Sequence, residues 1–184
     1  MAVRTKSSTT TPSRLATPSD LRAEEVQAIC DAVNALIADA FALYVKTKNF
    51  HWHVAGSHFR DYHLLFEEQA DSILESIDIL AERVRRIGGT TIRSIGHISQ
   101  LQTIGDDNDE FVPPEQMIER LLADNRHMAE LQRTAIGMCD KNRDTATSNR
   151  LQEILDQTEK RVWFLYEVTQ GAAPARIQPE REAA

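Results

Sequence analysis

The sequence predicts an all-α protein built as a four-helix bundle, and three observations lead to this fold class. Apolar residues recur at alternating spacings of three and four over long segments, as in helices that bury one face. Glycine or proline stands where these segments end. No segment alternates apolar and polar residues with the period of a β-strand. A chain of 184 residues with 41% hydrophobic content can form one domain with a sizeable core.

Capping residues and helix breakers give the expected bounds of the four helices. Ser19 or Asp20 is expected to cap the first helix, which ends between Phe50 and Val54. The remaining helices are expected over about 59–87, 114–139 and 145–170. The clearest core seams, on the first two helices, are Val26, Ile29, Val33, Leu36, Ala40, Leu43, Thr47 and Phe50, then Phe66, Ala70, Ile73, Ile77, Leu80, Val84 and Ile87.

A long connection separates the second helix from the third. It covers residues 90 to 112, includes a possible short helix around Ile92 to Leu101, and ends in an acidic run. A crossover of this length lets the second and third helices run parallel. We therefore expect a short helix inside the crossover.

The second helix carries an unusual polar stripe. Two pairs, His63 with Glu67 and Asp78 with Glu82, are each spaced i, i+4, so each pair projects from one face. With Asp71, the stripe holds one histidine and four carboxylates without a lysine or arginine. Like charges at this spacing repel one another, so the stripe indicates a cation as its partner.

One copy of this helix cannot close both pairs on one metal ion. His63 and Glu82 lie roughly 28 Å apart along a helix, whereas metal–ligand bonds are only about 2 to 2.6 Å long. The two pairs His63/Glu82 and Glu67/Asp78 share a midpoint near Ser72 and Ile73. An antiparallel second copy related by a two-fold axis there would form two identical sites, each shared by two chains.

At these residues the chain resembles the DNA-protection-during-starvation (Dps) miniferritins. The matching pattern is His51-Trp52, His63 twelve residues later, Glu67, and then Asp78 with Glu82-Arg83, within a resemblance that covers roughly residues 20 to 171. Members of the family often have Asp followed by Glu where this chain has Glu67-Glu68, so the ligand arm here is longer by one methylene.

The resemblance implies a ferritin-like bundle that assembles into a hollow tetrahedral homododecamer from two-fold dimers. It also implies a ferroxidase that oxidises Fe(II) to Fe(III), with hydrogen peroxide as the favoured oxidant, and stores the ferric product. The implied catalytic and iron-binding residues are His51, His63 and Glu67 from one chain with Asp78 and Glu82 from its partner. The physiological effect would be protection of DNA from oxidative damage.

Charge and cysteine usage limit the possible binding partners and the cellular compartment of the protein. A net charge of −7 argues against a globally basic nucleic-acid-binding surface. Cys30 and Cys139 lack paired spacing and lie in helical apolar patterns, which predicts reduced core thiols in a cytoplasmic protein. We expect neither a signal peptide nor a transmembrane helix.

The sequence predicts a tail outside the bundle at each terminus. Residues 1 to 19 carry Arg4, Lys6 and Arg14 without an acid, which predicts a flexible basic arm. The arm is either a solvated tail or a DNA-binding arm, the second being a use that Dps proteins make of such tails. Nucleoid association would follow from DNA binding. Residues 172 to 184 are expected to form a short tail of mixed charge.

Several other polar residues have ordinary structural interpretations. His53 and His58 are expected to be surface or structural residues, and Asp124 with His127 to be a solvated face. Trp52 is by default a core residue, although the family places it near the metal. Glu68, Asp71 and Glu75 are either plain surface or, in a Dps-like shell, iron-gathering groups. The family's acidic pore would lie near Asp144 and Glu153.

Two other classes of protein compete with a ferroxidase whose site is shared by two chains. A diiron site inside one bundle needs Glu-x-x-His motifs on two helices, and the chain contains none. The other alternative is a nucleoid-structuring protein whose metal site is vestigial or structural. Iron-dependent peroxide consumption separates that alternative from a ferroxidase.

Overall fold

A computed structural model describes residues 13–170 and contains five α-helices within that range, without strands. A single 3-10 turn over Ser13–Leu15 precedes them. The helices are α1 (Ala23–His53), α2 (Phe59–Arg86), α3 (Ile95–Leu101), α4 (Pro114–Lys141) and α5 (Thr145–Thr169). The four long helices and the short crossover helix confirm the predicted fold class.

The four long helices pack as two hairpins. α1 lies against α2, α4 lies against α5, and contacts between α1 and α4 join the hairpins into one bundle. The predicted seams are buried, and they contribute most of the largest fully buried side chains, among them Ile29, Val33, Leu43, Phe50, Phe66, Ile73 and Leu80. The core stripe of α2 therefore lies beside its acidic stripe, as the sequence predicts.

The start of α1 differs from the expected cap. Its N-cap is Arg22, not Ser19 or Asp20. The Arg22 backbone N–H donates to Oε2 of Glu25 at 2.8 Å, and the Arg22 guanidinium donates to Oε1 of the same carboxylate. Glu25 thus satisfies a free backbone donor at the helix start and pairs with a charge, so a capping hydroxyl is not required.

Residues from Ser13 to Asp20 run beside the end of α2. Arg85 donates from Nη2 to the carbonyl of Leu15 at 2.8 Å. A Cβ added to Gly88 would lie 2.7 Å from the carbonyl oxygen of Thr17, and the φ of Gly88 is +90°. Glycine is therefore required at this position both by space and by backbone conformation. The rest of the predicted arm, including Arg4 and Lys6, and the predicted tail over 172–184 lie outside the described residues.

A buried carboxylate ties the crossover to α1. Asp39 is fully buried and accepts hydrogen bonds from the backbone N–H groups of Thr103 and Ile104 and from the Thr103 hydroxyl, at 2.5 to 2.9 Å. α3 is capped by Ser94, whose hydroxyl accepts from the N–H of His97. These bonds hold the crossover against α1, the helix on which α3 packs.

Among the described residues, only helix α1 has the length and apolar composition of a transmembrane span. Ala23–His53 contains an 18-residue window with a mean hydropathy of 1.6, which is long and apolar enough for a span. The core helix of a soluble bundle passes the same test, and 56% of that window is buried within the structure. Burial against α2 and α4 accounts for its apolar character.

Asp124 and His127 do not form the solvated face that was expected. Asp124 accepts an ion-paired hydrogen bond from Lys46 of α1 at 2.7 Å. The ring Nε2 of His127 lies 3.0 Å from the hydroxyl of Thr103. Both side chains therefore connect α4 to other elements.

The two cysteines are free and buried, as predicted. Burial raises the pKa of the Cys30 thiol to about 11 and that of the Cys139 thiol to about 12. Neighbouring aspartates act in the same direction. Both residues behave as small core side chains.

Candidate metal centre

A tight connection between α1 and α2 creates the candidate centre. α1 ends at His53, where Val54 turns extended and its N–H donates to the carbonyl of Phe50. Gly56 adopts a φ of +113° and its carbonyl accepts from the N–H of Phe59, the first residue of α2. The chain reverses within five residues, so His51 and His63 face one another as the sequence predicts.

The two histidines hold each other through their backbones. The ring Nδ1 of His51 lies 2.8 Å from the carbonyl oxygen of His63, and the ring Nδ1 of His63 lies 2.9 Å from the carbonyl oxygen of His51. A carbonyl only accepts hydrogen bonds, so both rings carry their proton on Nδ1. The rings stack with centroids 3.8 Å apart. Because Nδ1 of each ring is bound to a carbonyl, Nε2 is the ring nitrogen that remains to bind a cation.

The Glu67 side chain, one turn after His63 on α2, extends to the ring of His51. Its Oε2 lies 2.8 Å from Nε2 of His51 and 2.5 Å from Nζ of Lys48. The hydrogen bond from Lys48 lowers the pKa of Glu67, and the nearby His51 acts in the same direction against the opposing effect of burial. The glutamate arm is therefore long enough to meet the His51 ring despite its departure from the commonest family residue.

Sequence reasoning missed Lys48. Its side chain is largely buried, and its ammonium lies 5.9 Å from the centre of the Trp52 ring as well as against Glu67. Lys48 precedes His51 by three residues and Trp52 by four, so its position on their face of α1 was a signal available in the sequence. The ammonium occupies a cation-binding position beside the Glu67 carboxylate.

The aromatic neighbours of the two histidines are exposed in a single chain. Trp52 is 63% exposed, so the default prediction that it packs in the core was wrong for a single chain. Phe59 lies with its ring centroid 5.1 Å from that of His63 and is also exposed. His53 and His58 are exposed, as expected, and Nδ1 of His53 lies 2.8 Å from the carbonyl of Asn49.

Asp78 and Glu82 are not brought to the histidines within one chain. Both are exposed on α2, and Glu82 is ion-paired with Arg86 one turn further on. Within residues 13–170 of a single chain, no group of three or more His, Cys, Asp and Glu side chains is arranged to hold a metal ion. One chain therefore provides two separated sets of donors.

Exposed aliphatic side chains accompany the carboxylates on α2. Leu64, Leu74 and Ile79 are each at least 40% exposed. At about 100° per residue, Leu74 and Ile79 flank the line of Asp71, Asp78 and Glu82 on opposite sides, and Leu64 lies on that line. The face therefore combines acidic groups with apolar surface. Glu68, Asp71 and Glu75 are exposed, as expected.

Asp144 is not available to line an acidic pore. It is 6% exposed and caps α5, where its carboxylate accepts from the N–H of Thr147 at 3.1 Å. Arg83 of α2 donates to the same carboxylate at 3.2 Å. Glu153 is exposed but ion-paired with Arg150. The sequence-based assignment of Asp144 to iron entry is therefore wrong, because its charge is already neutralised inside the bundle.

A four-helix bundle with a short crossover helix and imidazole and carboxylate donors on two of its helices defines the ferritin-like class. The family model for the ferritin-like domain matches residues 30–172, and the chain belongs to this family. Within the family, its relatives and solved structural neighbours include many DNA-protection-during-starvation proteins, which confirms the Dps resemblance.

Three similarities illustrate this relationship. A low-temperature-induced protein of Nostoc is 32% identical over 162 residues, which cover 86% of this chain and 90% of that protein. DpsC from Streptomyces coelicolor is 28% identical with a TM-score of 0.81, covering 86% of this chain and 92% of its own. A Dps protein from Vibrio cholerae, described as a ferritin-like diiron-carboxylate protein, is 25% identical with a TM-score of 0.78, covering 83% and 96%.

Proposed function

We propose that the protein is a Dps-type ferroxidase and iron store. It would bind Fe(II) as substrate, oxidise it to Fe(III) with hydrogen peroxide, and keep the ferric product inside a homododecameric shell. Removal of Fe(II) and peroxide together would prevent hydroxyl radical formation and so protect DNA. The observation that carries the proposal is the reciprocal pair of histidines, with Glu67 at their free nitrogen edge.

The donor chemistry supports iron as the cation. Imidazole nitrogens suit Fe(II), and carboxylate oxygens suit the harder Fe(III) that oxidation produces. Metal-binding histidines usually donate their second ring N–H to a carbonyl or carboxylate, which fixes the ring and its tautomer. Here each histidine meets that requirement through the other's backbone carbonyl. The two rings are therefore preorganised before iron arrives.

A site shared by two chains explains why Asp78 and Glu82 stand apart from the histidines. An antiparallel second copy of α2 would bring the partner's Asp78 opposite Glu67 and the partner's Glu82 opposite His63. The same contact would cover Leu64 and Leu74, which are exposed in a single chain and lie on the side of α2 that carries these ligands. Removal of this apolar surface from water would favour the pairing that also completes the site.

Lys48 supplies the charge balance of the iron-free site. Its ammonium neutralises Glu67 and lies against it at hydrogen-bonding distance. An incoming Fe(II) ion would compete with this ammonium for the carboxylate, and the lysine side chain would turn toward Trp52 and solvent. In the reaction each peroxide molecule accepts one electron from each of two Fe(II) ions and is reduced to water with two protons.

Storage would use the acidic surface beside the site. Glu68 adjoins Glu67 and Glu75 lies two turns further along, both exposed to one side of the ligand line, and the exposed Asp71 lies on that line one turn from Glu67. Facing the interior of a closed shell, these carboxylates would bind hydrolysed ferric ions and start the mineral. The competing function is a nucleoid-structuring protein with a vestigial or structural metal site. A vestigial site gives no role to the preorganised histidine pair.

Anaerobic titration with Fe(II), followed by addition of peroxide, tests the proposed function. We expect saturable binding of at least one Fe(II) ion per shared site. Addition of peroxide should then give a rapid rise in ferric absorbance, with one peroxide consumed per two Fe(II) ions. The His51→Ala/His63→Ala protein should lose the rapid phase while remaining assembled. Equal rates in the two proteins, both no faster than iron in buffer, would favour the nucleoid-structuring alternative.

A further inference from the structure

A buried arginine on α5 is surrounded by neutral acceptors. Arg161 is 6% exposed and donates to Oδ1 of Asn125, the hydroxyl of Ser72 and the hydroxyl of Thr158, at 2.8 to 3.0 Å. Among the described residues no carboxylate lies within ion-pair distance of it. Burial lowers the pKa of Arg161 to about 10. A buried charge without a counterion is costly, so the site favours an anion.

Arg161 has donors to spare at a cavity. A guanidinium carries five N–H groups, and three of them are used by the neutral acceptors. The residue lines a cavity of about 110 Å³ between α2 and α5, which gives room for several water-sized groups. The exposed ends of Glu68, Lys160 and Phe164 form the rim of this cavity. The rim charges of Glu68 and Lys160 have opposite signs. The charge of Arg161 therefore determines the sign of the electrostatic potential inside the cavity.

One residue that lines this cavity carries a buried acceptor without a donor. Gln69 is 4% exposed, and its Nε2 donates to the backbone carbonyl of Arg161 at 3.4 Å. Its Oε1 is buried and has no hydrogen-bond partner among the described residues. An unsatisfied buried carbonyl destabilises the folded protein, so a ligand with an O–H group would stabilise this position.

We propose that this cavity binds a small oxyanion that retains a proton, with inorganic phosphate as the simplest example. Its charged oxygens would accept the free N–H groups of Arg161, and its O–H would donate to Oε1 of Gln69. Sulfate has the same shape and charge but no proton at neutral pH. The cavity should therefore prefer phosphate to sulfate, which a charge-only site would not do.

The location gives the anion a role if the proposed iron function holds. Glu68 lies both on the rim of the cavity and on the exposed acidic face of α2. A phosphate held there would stand beside the carboxylates that collect ferric ions and would offer them further oxygen ligands. Mineral would then start as a mixed ferric phosphate next to Glu68.

The test uses the assembled, iron-free protein, so its outcome is independent of ferroxidation. Calorimetric titration with phosphate should show saturable binding at one ion per chain, with sulfate at least tenfold weaker. Phosphate should also raise the thermal midpoint, because it binds the folded state alone. Absence of saturable phosphate binding to the wild-type protein, or equal affinity for sulfate, overturns the proposal.

Two charge-matched variants locate the site. Gln69→Glu places a carboxylate in the cavity as an internal counterion for Arg161 and should weaken phosphate binding at least tenfold. Gln152→Glu adds the same charge on the exposed surface of α5 and should leave the affinity unchanged. Equal weakening in both variants would mean a general charge effect and would contradict the cavity. If Gln69→Glu fails to assemble, the phosphate-to-sulfate ratio of the wild-type protein still decides.

Discussion

His51 and His63 each donate a ring N–H to the other's backbone carbonyl, at 2.8 and 2.9 Å. Each histidine is thus both a candidate ligand and the support of the other. His51→Ala should weaken Fe(II) binding beyond the loss of one ligand, since loss of such a supporting partner alone costs about 10- to 100-fold. The double variant should be little worse than either single variant. Anaerobic Fe(II) titration of all four proteins measures this coupling.

His53 provides the matched control for that comparison. It lies two residues from His51, is exposed, and its ring donates a hydrogen bond to the carbonyl of Asn49. His53→Ala should keep wild-type affinity. Strictly additive effects of the His51 and His63 substitutions would contradict mutual support.

Lys48 should oppose iron binding, because its ammonium must leave Glu67 before a cation can bind there. Lys48→Met keeps most of the side-chain volume and removes the charge. We expect Fe(II) to bind roughly two- to fivefold more tightly at low ionic strength, as loss of a partly exposed ion pair implies. Lys141→Met removes an exposed charge from the end of α4 and should have no effect. Weaker binding in Lys48→Met would show that the lysine supports the site.

Asp144 should affect stability and not iron entry. Asp144→Asn can still cap α5 but loses the charge that pairs with Arg83. We expect a loss of about 1.5 to 3 kcal/mol in the free energy of unfolding, the usual contribution of a hydrogen bond to a charged group. Denaturant titration of the dissociated subunit measures the change. Slower iron uptake with unchanged stability would restore the pore assignment.

Residues whose roles are local were predictable from the sequence, whereas those that depend on distant partners were not. Gly56, Gly88 and Pro113 gave the helix ends to within a few residues, since backbone conformation there is a property of the residue itself. The structural roles of Asp39 and Asp144 were not predictable because their partners lie 61 to 65 residues away in the chain. The histidine pair was predictable because a short turn connects its members.

DNA binding, if it occurs, should depend on the charges of the N-terminal arm. Replacement of Arg4, Lys6 and Arg14 by alanine should abolish a low-salt mobility shift, because phosphate contacts dominate such binding, and should leave iron oxidation intact. Substitution is preferable to deletion of residues 1 to 19, since the carbonyl of Leu15 accepts from Arg85. Alanine at the exposed bases Arg126 and Lys141 of α4 is the control. A shift that persists without the three arm charges would exclude the arm.

Mixed oligomers test whether the site is shared by two chains. His63→Ala and Glu82→Ala should each lose most rapid ferroxidation. In a dimer that contains one chain of each, one site takes His63 from the second protein and Glu82 from the first, so it is intact, while the other site carries both defects. Random pairing at equal ratio should restore about one quarter of wild-type sites, and native mass spectrometry verifies the mixing. A site closed within one chain would keep one defect everywhere, so a verified mixed oligomer without recovered activity would rule out the two-fold-shared centre.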